Sequence, residues 1–519
     1  MKIRDIQVVD LFAGPGGLGE GICSASDAFH ILVSVEKDPH AHQTLRLRAY
    51  YRLLTKVMPE KLSVYLNYLN GKQEYPWDES TRFLWNRACM EARLITLGSI
   101  DGNAELDAIL QSGLIPGNPW VLIGGPPCQA YSIAGRSRNK GKSDYSPEKD
   151  DRHFLYREYL RIIHRYKPTV FIMENVKGIL SSRVAGDLIF HSILRDLATP
   201  DITSRSIEPN LGYRIFSLVK DVEFSREKSI NSINPSDFII RSEDYGVPQA
   251  RHRVILLGIR EDIAFNRKRL LEKQQKKITV SDVIGTLPPL RSKLSKGKDT
   301  EEGWSDTIIR IINYLMEHSN QIDLKAQLYK TAGQIQKLNC TGGLRVPRNN
   351  TEGNTPSKQL NDWYRNNQPD VWLNHETRGH IEGDLRRYLF AAAYTLVHGI
   401  SPKGTSGFAI DGLRPNHRNW ETGHFSDRFR VQRANHPATT ITSHISKDGH
   451  YFIHYDPAQC RSLTVREAAR IQTFPDNYFF MGNRTQQYHQ VGNAVPPFLA
   501  MQIGCIVHDL LKRSRLKTR

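Results

Sequence analysis

The sequence predicts an α/β fold: a doubly wound, mostly parallel sheet with a second, smaller domain. Three observations carry this. Short apolar runs alternate with stretches of helical spacing through the first 260 residues. The first run ends in a glycine-rich turn. The alternation fades between 301 and 430 and returns after Leu463. Strands separated by helices need crossover connections, and these favour parallel pairing with helices on both faces.

The strands come in order. Ile6–Phe12 is an apolar run that opens onto glycines, and Ile31–Val35, Trp120–Ile123, Thr169–Met173 and Arg253–Ile259 follow. Phe154–His164 has helical spacing between two of them. Residues 44–93, rich in Leu, Tyr and Arg, sit where a short connection belongs and read as a helical insertion. Residues 262–300 are charged and Lys-rich and contain Pro288 and Pro289, a composition shift that marks a boundary. Residues 301–430 are richer in Asn, Gly, Arg and His, with weak periodicity. A helix is expected at Thr464–Gln472, then QVGNAVPP, then a last apolar helix. The division is therefore 1–285, 286–460 and 461–519, the last segment returning to the first part.

The 519 residues carry a formal net charge of +17, which points to a polyanionic partner. The six cysteines, at 23, 89, 128, 340, 460 and 505, form no CxxC pair, so neither zinc nor a disulfide framework is expected. His375-Glu-Thr-Arg-Gly-His380 has one residue too many for HExxH; positions i and i+5 do not share a helix face. With no signal peptide and no stretch of about 18 apolar residues, a cytoplasmic protein without a membrane is expected.

Four motifs carry chemistry. In Asp10-Leu-Phe12-Ala-Gly14-Pro-Gly16-Gly17 a strand feeds a glycine turn ahead of a helix, which suits close approach to a nucleotide-like ligand. Glu36 ends the next strand, where an acid accepts bonds from ribose hydroxyls. The turn alone fits NAD, FAD or S-adenosylmethionine. Gly124-Gly-Pro-Pro-Cys128-Gln puts a thiol on a Pro-stiffened loop just past a strand, a place for a reactive thiolate. Phe171-Ile-Met-Glu174-Asn-Val ends a strand with a carboxylate, and strand C-termini line the crevice of an open sheet. In Pro248-Gln-Ala-Arg251-His-Arg253 two cations alternate at a strand start, on one face.

Taken with Arg433-Ala-Asn-His-Pro437-Ala-Thr-Thr440-Ile and Gln490-Val-Gly-Asn493-Ala-Val-Pro-Pro, these motifs resemble the DNA (cytosine-5)-methyltransferase family, of the bacterial restriction–modification type. The resemblance implies a Rossmann-like, S-adenosylmethionine-dependent catalytic domain. It implies that Cys128 attacks C6 of a flipped-out cytosine. Glu174 would hold the N3 edge, Arg253 would contact O2, and Arg251 would lie near Cys128 or a phosphate. Tyr131–Asp150 resembles the family's mobile loop. Phe12, Gly14, Gly16, Gly17, Glu36, Ser99, Ile100 and Asn493 would surround the cofactor.

Two departures stand out: Ser99 replaces the usual acid before Ile100, and Lys37 stands where some members have an aromatic. The motif-free segment 301–430 takes the place of the target-recognition domain, with Arg345, Arg348, Arg378, Arg386 and Arg387 available for phosphate or guanine. The implied partner is double-stranded DNA, met as a monomer, with a separate restriction endonuclease or phage-defence proteins. The alternatives are an RNA (tRNA) cytosine-5 methyltransferase, an inactive DNA-binding regulator, and a nicotinamide-dependent oxidoreductase. PPCQ and ENV argue against the last.

Overall fold

The computed structural model describes residues 5–127, 152–184, 187–199, 211–264, 269–348, 355–415, 420, 427–513 and 515–516. Its centre is a sheet. β1 (Ile6–Leu11), β2 (Phe29–Glu36), β3 (Ala92–Leu94), β4 (Trp120–Gly124) and β5 (Val170–Val176) are parallel, in the order β3-β2-β1-β4-β5. The order reverses between β1 and β4, and there the ends of the two strands diverge into a crevice.

Side chains alternate across this sheet, as a period of two requires. Val9, Leu11, Leu122, Phe171 and Met173 face one core cluster. On that face lie α5 (Ile100–Gly113), α6 (Arg152–Tyr166) and α7 (Ile189–Ala198). Ile6, Val8, Val121, Ile123 and Ile172 face the other cluster, against α1 (Gly17–Ser24) and the chain's last helix, α14 (Pro497–Arg513). The C-terminal segment thus completes the N-terminal sheet. Its apolar stretch, which spans 484–512, is 67% buried over its most apolar window, as a core element is.

The sheet continues beyond β5 in a different sense. β6 (Tyr213–Phe216), β7 (Glu223–Phe224), β8 (Ile239–Arg241) and β9 (His252–Arg260) join it, and β9 pairs antiparallel with β5, β6 and β8. The sheet keeps the expected parallel set of five strands and is mixed only where antiparallel strands extend it. No α-helix lies between β6 and β9 among the described residues, and the short links β6–β7 and β8–β9 each return the chain antiparallel.

The insertion is helical, as its composition suggests. It continues α2 (Pro39–Val57), which starts at an Asp38 cap, and adds α3 (Leu62–Leu69) and α4 (Arg82–Glu91).

The segment from 301 is more regular than its weak periodicity indicates. It holds α8 (Glu301–His318), α9 (Ile322–Ile335), β10 (Gly342–Pro347), α10 (Lys358–Arg365), β11 (Val371–Glu376) and α11 (Glu382–His398). β10 and β11 form an antiparallel pair. In α8 the buried positions are Trp304, Ile308, Ile311, Ile312 and Leu315, a helical stripe legible in retrospect. α12 (Val465–Ile471) starts in a capping box of Thr464 and Glu467, one residue inside each expected bound. α13 (Arg484–Asn493) carries the QVGN sequence and ends before Pro496 and Pro497.

Candidate active site

One cavity of about 580 Å³ opens at the ends of β1, β2, β4 and β5. β1 delivers the glycine turn to it. Phe12 there takes a left-handed backbone (φ +58°), which an aromatic residue adopts only under constraint, and it lines the cavity together with Gly14. Gly16 (φ +95°) caps α1.

Glu36 closes the opposite wall. Its carboxylate accepts the Gly14 amide (2.8 Å) and the amides of Lys37 (2.9 Å) and Asp38 (2.8 Å). The acid at the end of β2 thereby holds the turn at the end of β1.

Beneath the turn lies Asp10, 1% exposed and on the cavity wall. Neither carboxylate oxygen makes a hydrogen bond of good geometry, although the Gly19 amide is close. Burial pushes its carboxyl up to about 8. Glu36 and Glu91 add to this, and Arg52 opposes it.

β4 brings Gly124, Gly125, Pro126 and Pro127 to the wall. A Cβ on Gly124 would fall 2.6 Å from the Leu11 carbonyl, and one on Gly125 would fall 3.0 Å from Glu174 Oε2. These glycines let the loop sit against β1 and the Glu174 carboxylate. Cys128, the next residue, lies outside the described residues, as does the loop 131–150.

Glu174 stands on β5 and lines the cavity. Glu174 is opposite Ile255, and Val176 is opposite Arg253, so Glu174 and Arg253 are diagonal neighbours on one face. Arg253 Nε lies 2.9 Å from Glu174 Oε1, and each side chain is 14% exposed. A carboxylate and a guanidinium are thus presented together beside the loop that leads to Cys128.

The model of the C-5 cytosine-specific DNA methylase family matches residues 101–200 and 234–507. The chain belongs to this family. It is a DNA (cytosine-5)-methyltransferase, and the matched residues include Cys128, Glu174, Arg253 and Asn493; the glycine turn and Glu36 lie outside them. The type II methyltransferase M.Bpa9945I of Bacillus paralicheniformis is 32% identical, over 97% of this chain and 99% of that one. M.DdeI of Desulfomicrobium norvegicum is 25% identical, over 96% and 88%. A crystal structure described as a prophage-encoded DNA modification methyltransferase (E. coli) has a TM-score of 0.51 at 19% identity, covering 98% of this chain and 99% of that chain, a likeness of fold.

In this methyltransferase the other expected site residues have different placements. Asn493 lines the cavity. Gly17 packs behind the turn: a Cβ there would lie 2.5 Å from the Val495 carbonyl. At Gly16 it would lie 2.8 Å from Leu45 Cδ1. Both glycines seat the turn on neighbouring elements. Ser99 caps α5 by accepting the Gly102 amide, and Ile100 is 89% exposed. From this segment it is Ile95, Thr96 and Leu97 that line the cavity.

Arg251 is buried and donates to the carbonyls of Ile441 (2.7 Å) and Gly492 (3.3 Å). It ties the Arg433–Ile441 block to the end of α13 through backbone carbonyls. Burial depresses its proton affinity, the nearby Arg253 charge depresses it further, and Glu174 opposes both.

The five arginines offered to DNA are also engaged. Arg348 lies 3.6 Å over the Trp372 ring and pairs with Asp476 (3.0 Å). Arg378 donates to Lys447 and Ile445 carbonyls, and Arg387 to those of Leu413 and Arg414. Arg386 stacks on Tyr314, and Arg345 grips α3. The sequence offers these five to phosphate or guanine, and each has a partner within the fold.

Sequence reading missed Asp10, Thr485, Gln486 and His489 as wall residues. Thr485, His489 and Asn493 recur every four residues on α13, a one-face spacing that was available.

Among the described residues no cluster of His, Cys, Asp and Glu is placed to hold a metal. His375 instead bonds Thr464 Oγ1 and the Pro288 carbonyl, each at 3.0 Å.

Proposed function

We propose that the protein methylates C5 of a cytosine swung out of a specific duplex DNA sequence, as the modification half of a restriction–modification system. It would act in the cytoplasm as a monomer on DNA, with a separate endonuclease sharing the site. The observation that carries this reading is the Glu174–Arg253 pair, beside Gly124–Pro127 and on the wall of the glycine-turn cavity. The curated relatives named above are type II methyltransferases, which favours duplex DNA over the tRNA alternative.

The cavity suits S-adenosylmethionine. It has the volume for a nucleoside with a short tail, a carboxylate at the end of β2, and a buried carboxyl group, that of Asp10, without a good hydrogen bond of its own. Glu36 would accept the ribose hydroxyls, while Phe12, Leu97 and Val35 supply apolar wall. Asp10 and Asn493 offer polar contacts. When bound, this cofactor supplies an electrophilic methyl group.

Cytosine C5 is a weak nucleophile until C6 is attacked. The Cys128 thiolate would form the S–C6 bond, and the displaced electron pair moves into the ring. Glu174 would hold the N3 edge and deliver a proton to N3 as charge builds there. Arg253, fixed by Glu174, would face O2 and stabilise the same charge. After methyl transfer a base removes the C5 proton, the double bond re-forms, and Cys128 leaves. Because a stacked base cannot reach the cavity, the cytosine must leave the helix first.

The test is to express the protein in cells lacking 5-methylcytosine and sequence their DNA after deamination. One short motif methylated at C5 is the expected outcome. Methylation confined to tRNA, or none at all, overturns the reading.

A further inference from the structure

The helical insertion is a large element to which the reaction assigns no task. Its contacts run to both halves of the molecule. At one end Thr44 donates to Gln490 Oε1 (2.6 Å) and accepts the Met481 amide (2.8 Å), and Gln490 lines the cavity. Nearby, Arg48 bridges Glu20 of α1 and Asn477.

At the other end the insertion meets the β10–β11 hairpin. α3 stops at Leu69, where the last carbonyls of a helix point outward; that of Tyr68 also accepts the Gly71 amide (3.0 Å). Arg345 of β10 takes two of them, Nε donating to Leu69 (2.7 Å) and Nη2 to Tyr68 (3.2 Å). Its guanidinium also lies 5.1 Å from the Phe479 ring centre. A cation suits this position because carbonyl dipoles converge at a helix C-terminus.

A second contact grips the other strand. Asn70 donates to Asp370 Oδ2 (2.9 Å) and accepts the Asp370 amide (2.8 Å), immediately before β11. Lys72 reaches the same carboxylate at 3.2 Å. Pro347 is opposite Val371, so both contacts hold the β10–β11 pair at the end where β10 stops and β11 starts. Leu373 of β11 lies in one apolar cluster with Tyr50, Tyr65 and Leu69 of the insertion.

We propose that the 44–93 insertion is a strut that sets where the recognition segment stands relative to the catalytic cavity, with Arg345 and Asp370 as positioning residues for sequence specificity. This rests on reading 301–430 as the segment that recognises DNA. A flipped cytosine reaches the cavity only when the bound sequence sits at the right distance from it. A hairpin free to rock would accept neighbouring registers and near-matching sites.

The experiment uses the full chain with Arg345→Ala, Arg345→Lys and Asp370→Ala, and genomic DNA free of 5-methylcytosine as substrate. Conversion sequencing reads methylation at the preferred site and at sites differing by one base. We expect the preferred-to-mismatched ratio to fall about tenfold in Arg345→Ala and Asp370→Ala. KM for DNA should rise while KM for S-adenosylmethionine stays within about twofold, since the cofactor wall is untouched. Arg345→Lys should recover most of the ratio, because an ammonium still donates to a helix-end carbonyl.

A merely structural role would reduce the active fraction and leave the ratio and both KM values of the surviving enzyme unchanged, and that result overturns the proposal. Asp370 is a surface residue, so its variant carries the test if Arg345→Ala does not fold. Exchanging 301–430 for the matching segment of the Bacillus relative separates the two readings. An unchanged site sinks the recognition reading itself; a changed site, with wild-type ratios in both alanine variants, sinks the strut alone.

Discussion

Arg253 Nε lies 2.9 Å from Glu174 Oε1, across the antiparallel pairing of β9 with β5. Burial disfavours the charged Arg253, and the attraction of the Glu174 carboxylate offsets part of this. The pair is therefore mutually dependent. Arg253→Ala leaves Glu174 without its cation in a nearly closed site and should lower methyl transfer by at least about a hundredfold. Glu174→Gln should lower kcat by about 10²–10⁴, because an amide cannot give N3 a proton. Incorporation of labelled methyl groups into duplex DNA measures both. Activity within tenfold of wild type in either variant would remove that residue from the mechanism.

Cys128 is open to a more direct test. In duplex DNA carrying 5-fluorocytosine at the target, attack at C6 and methyl transfer to C5 both proceed. The last step needs loss of a proton from C5, and fluorine does not leave as a cation. A protein–DNA band that survives denaturing electrophoresis should form, and only with S-adenosylmethionine present. Cys128→Ala should give no band. Cys128→Ser should lose turnover yet keep DNA binding, since a hydroxyl is a far weaker nucleophile. Normal methylation without trapping would contradict covalent catalysis.

Asp10 predicts a pH dependence. Its folded carboxyl is raised to about 8 from an ordinary 3.8. The folded state is favoured fully below 3.8, and that advantage is lost as pH rises toward 8 and the unfolded chain sheds its proton first. Asp10→Asn should therefore raise the melting temperature of the cofactor-free protein, more at pH 8 than at pH 5. It should also weaken cofactor binding. An equal melting shift at both pH values would mean that Asp10 is not held protonated.

His375 and His454 predict the opposite limb. Burial is the main cause pushing both imidazoles down to about 4. A histidine held neutral contributes stability above its unfolded pKa of about 6.5, and the contribution drains away as pH falls toward 4. Thermal melts should show a steep loss of stability between pH 6.5 and 4. His454→Gln should flatten that slope; an unchanged slope would put the acid sensitivity elsewhere.

Much of the site was legible because it obeys local rules. A strand, a glycine turn and a helix follow from residues 6–24. An acid at the end of β2 and another at the end of β5 reach the crevice wherever a parallel sheet reverses its order. Glu36, Glu174 and Gly14 could be placed from such spacing, and Phe12 and Asn493 from family resemblance. Ser99 and Ile100 could not, because whether a loop turns toward the crevice or into a helix cap depends on the Gly98–Gly102 backbone.

By itself, then, the sequence determined the alternation of strands and helices, the chemistry offered at the strand ends, and the family. Tertiary structure alone decided that β9 runs antiparallel, that Arg251 ties Ile441 to Gly492, and that Arg345, Arg348, Arg378 and Arg387 spend their charge inside the fold. The reason is physical. Strand and helix periodicity is a property of neighbours along the chain. An arginine's partner is a carbonyl or carboxylate brought from up to 277 residues away, and nothing in the local pattern encodes that meeting.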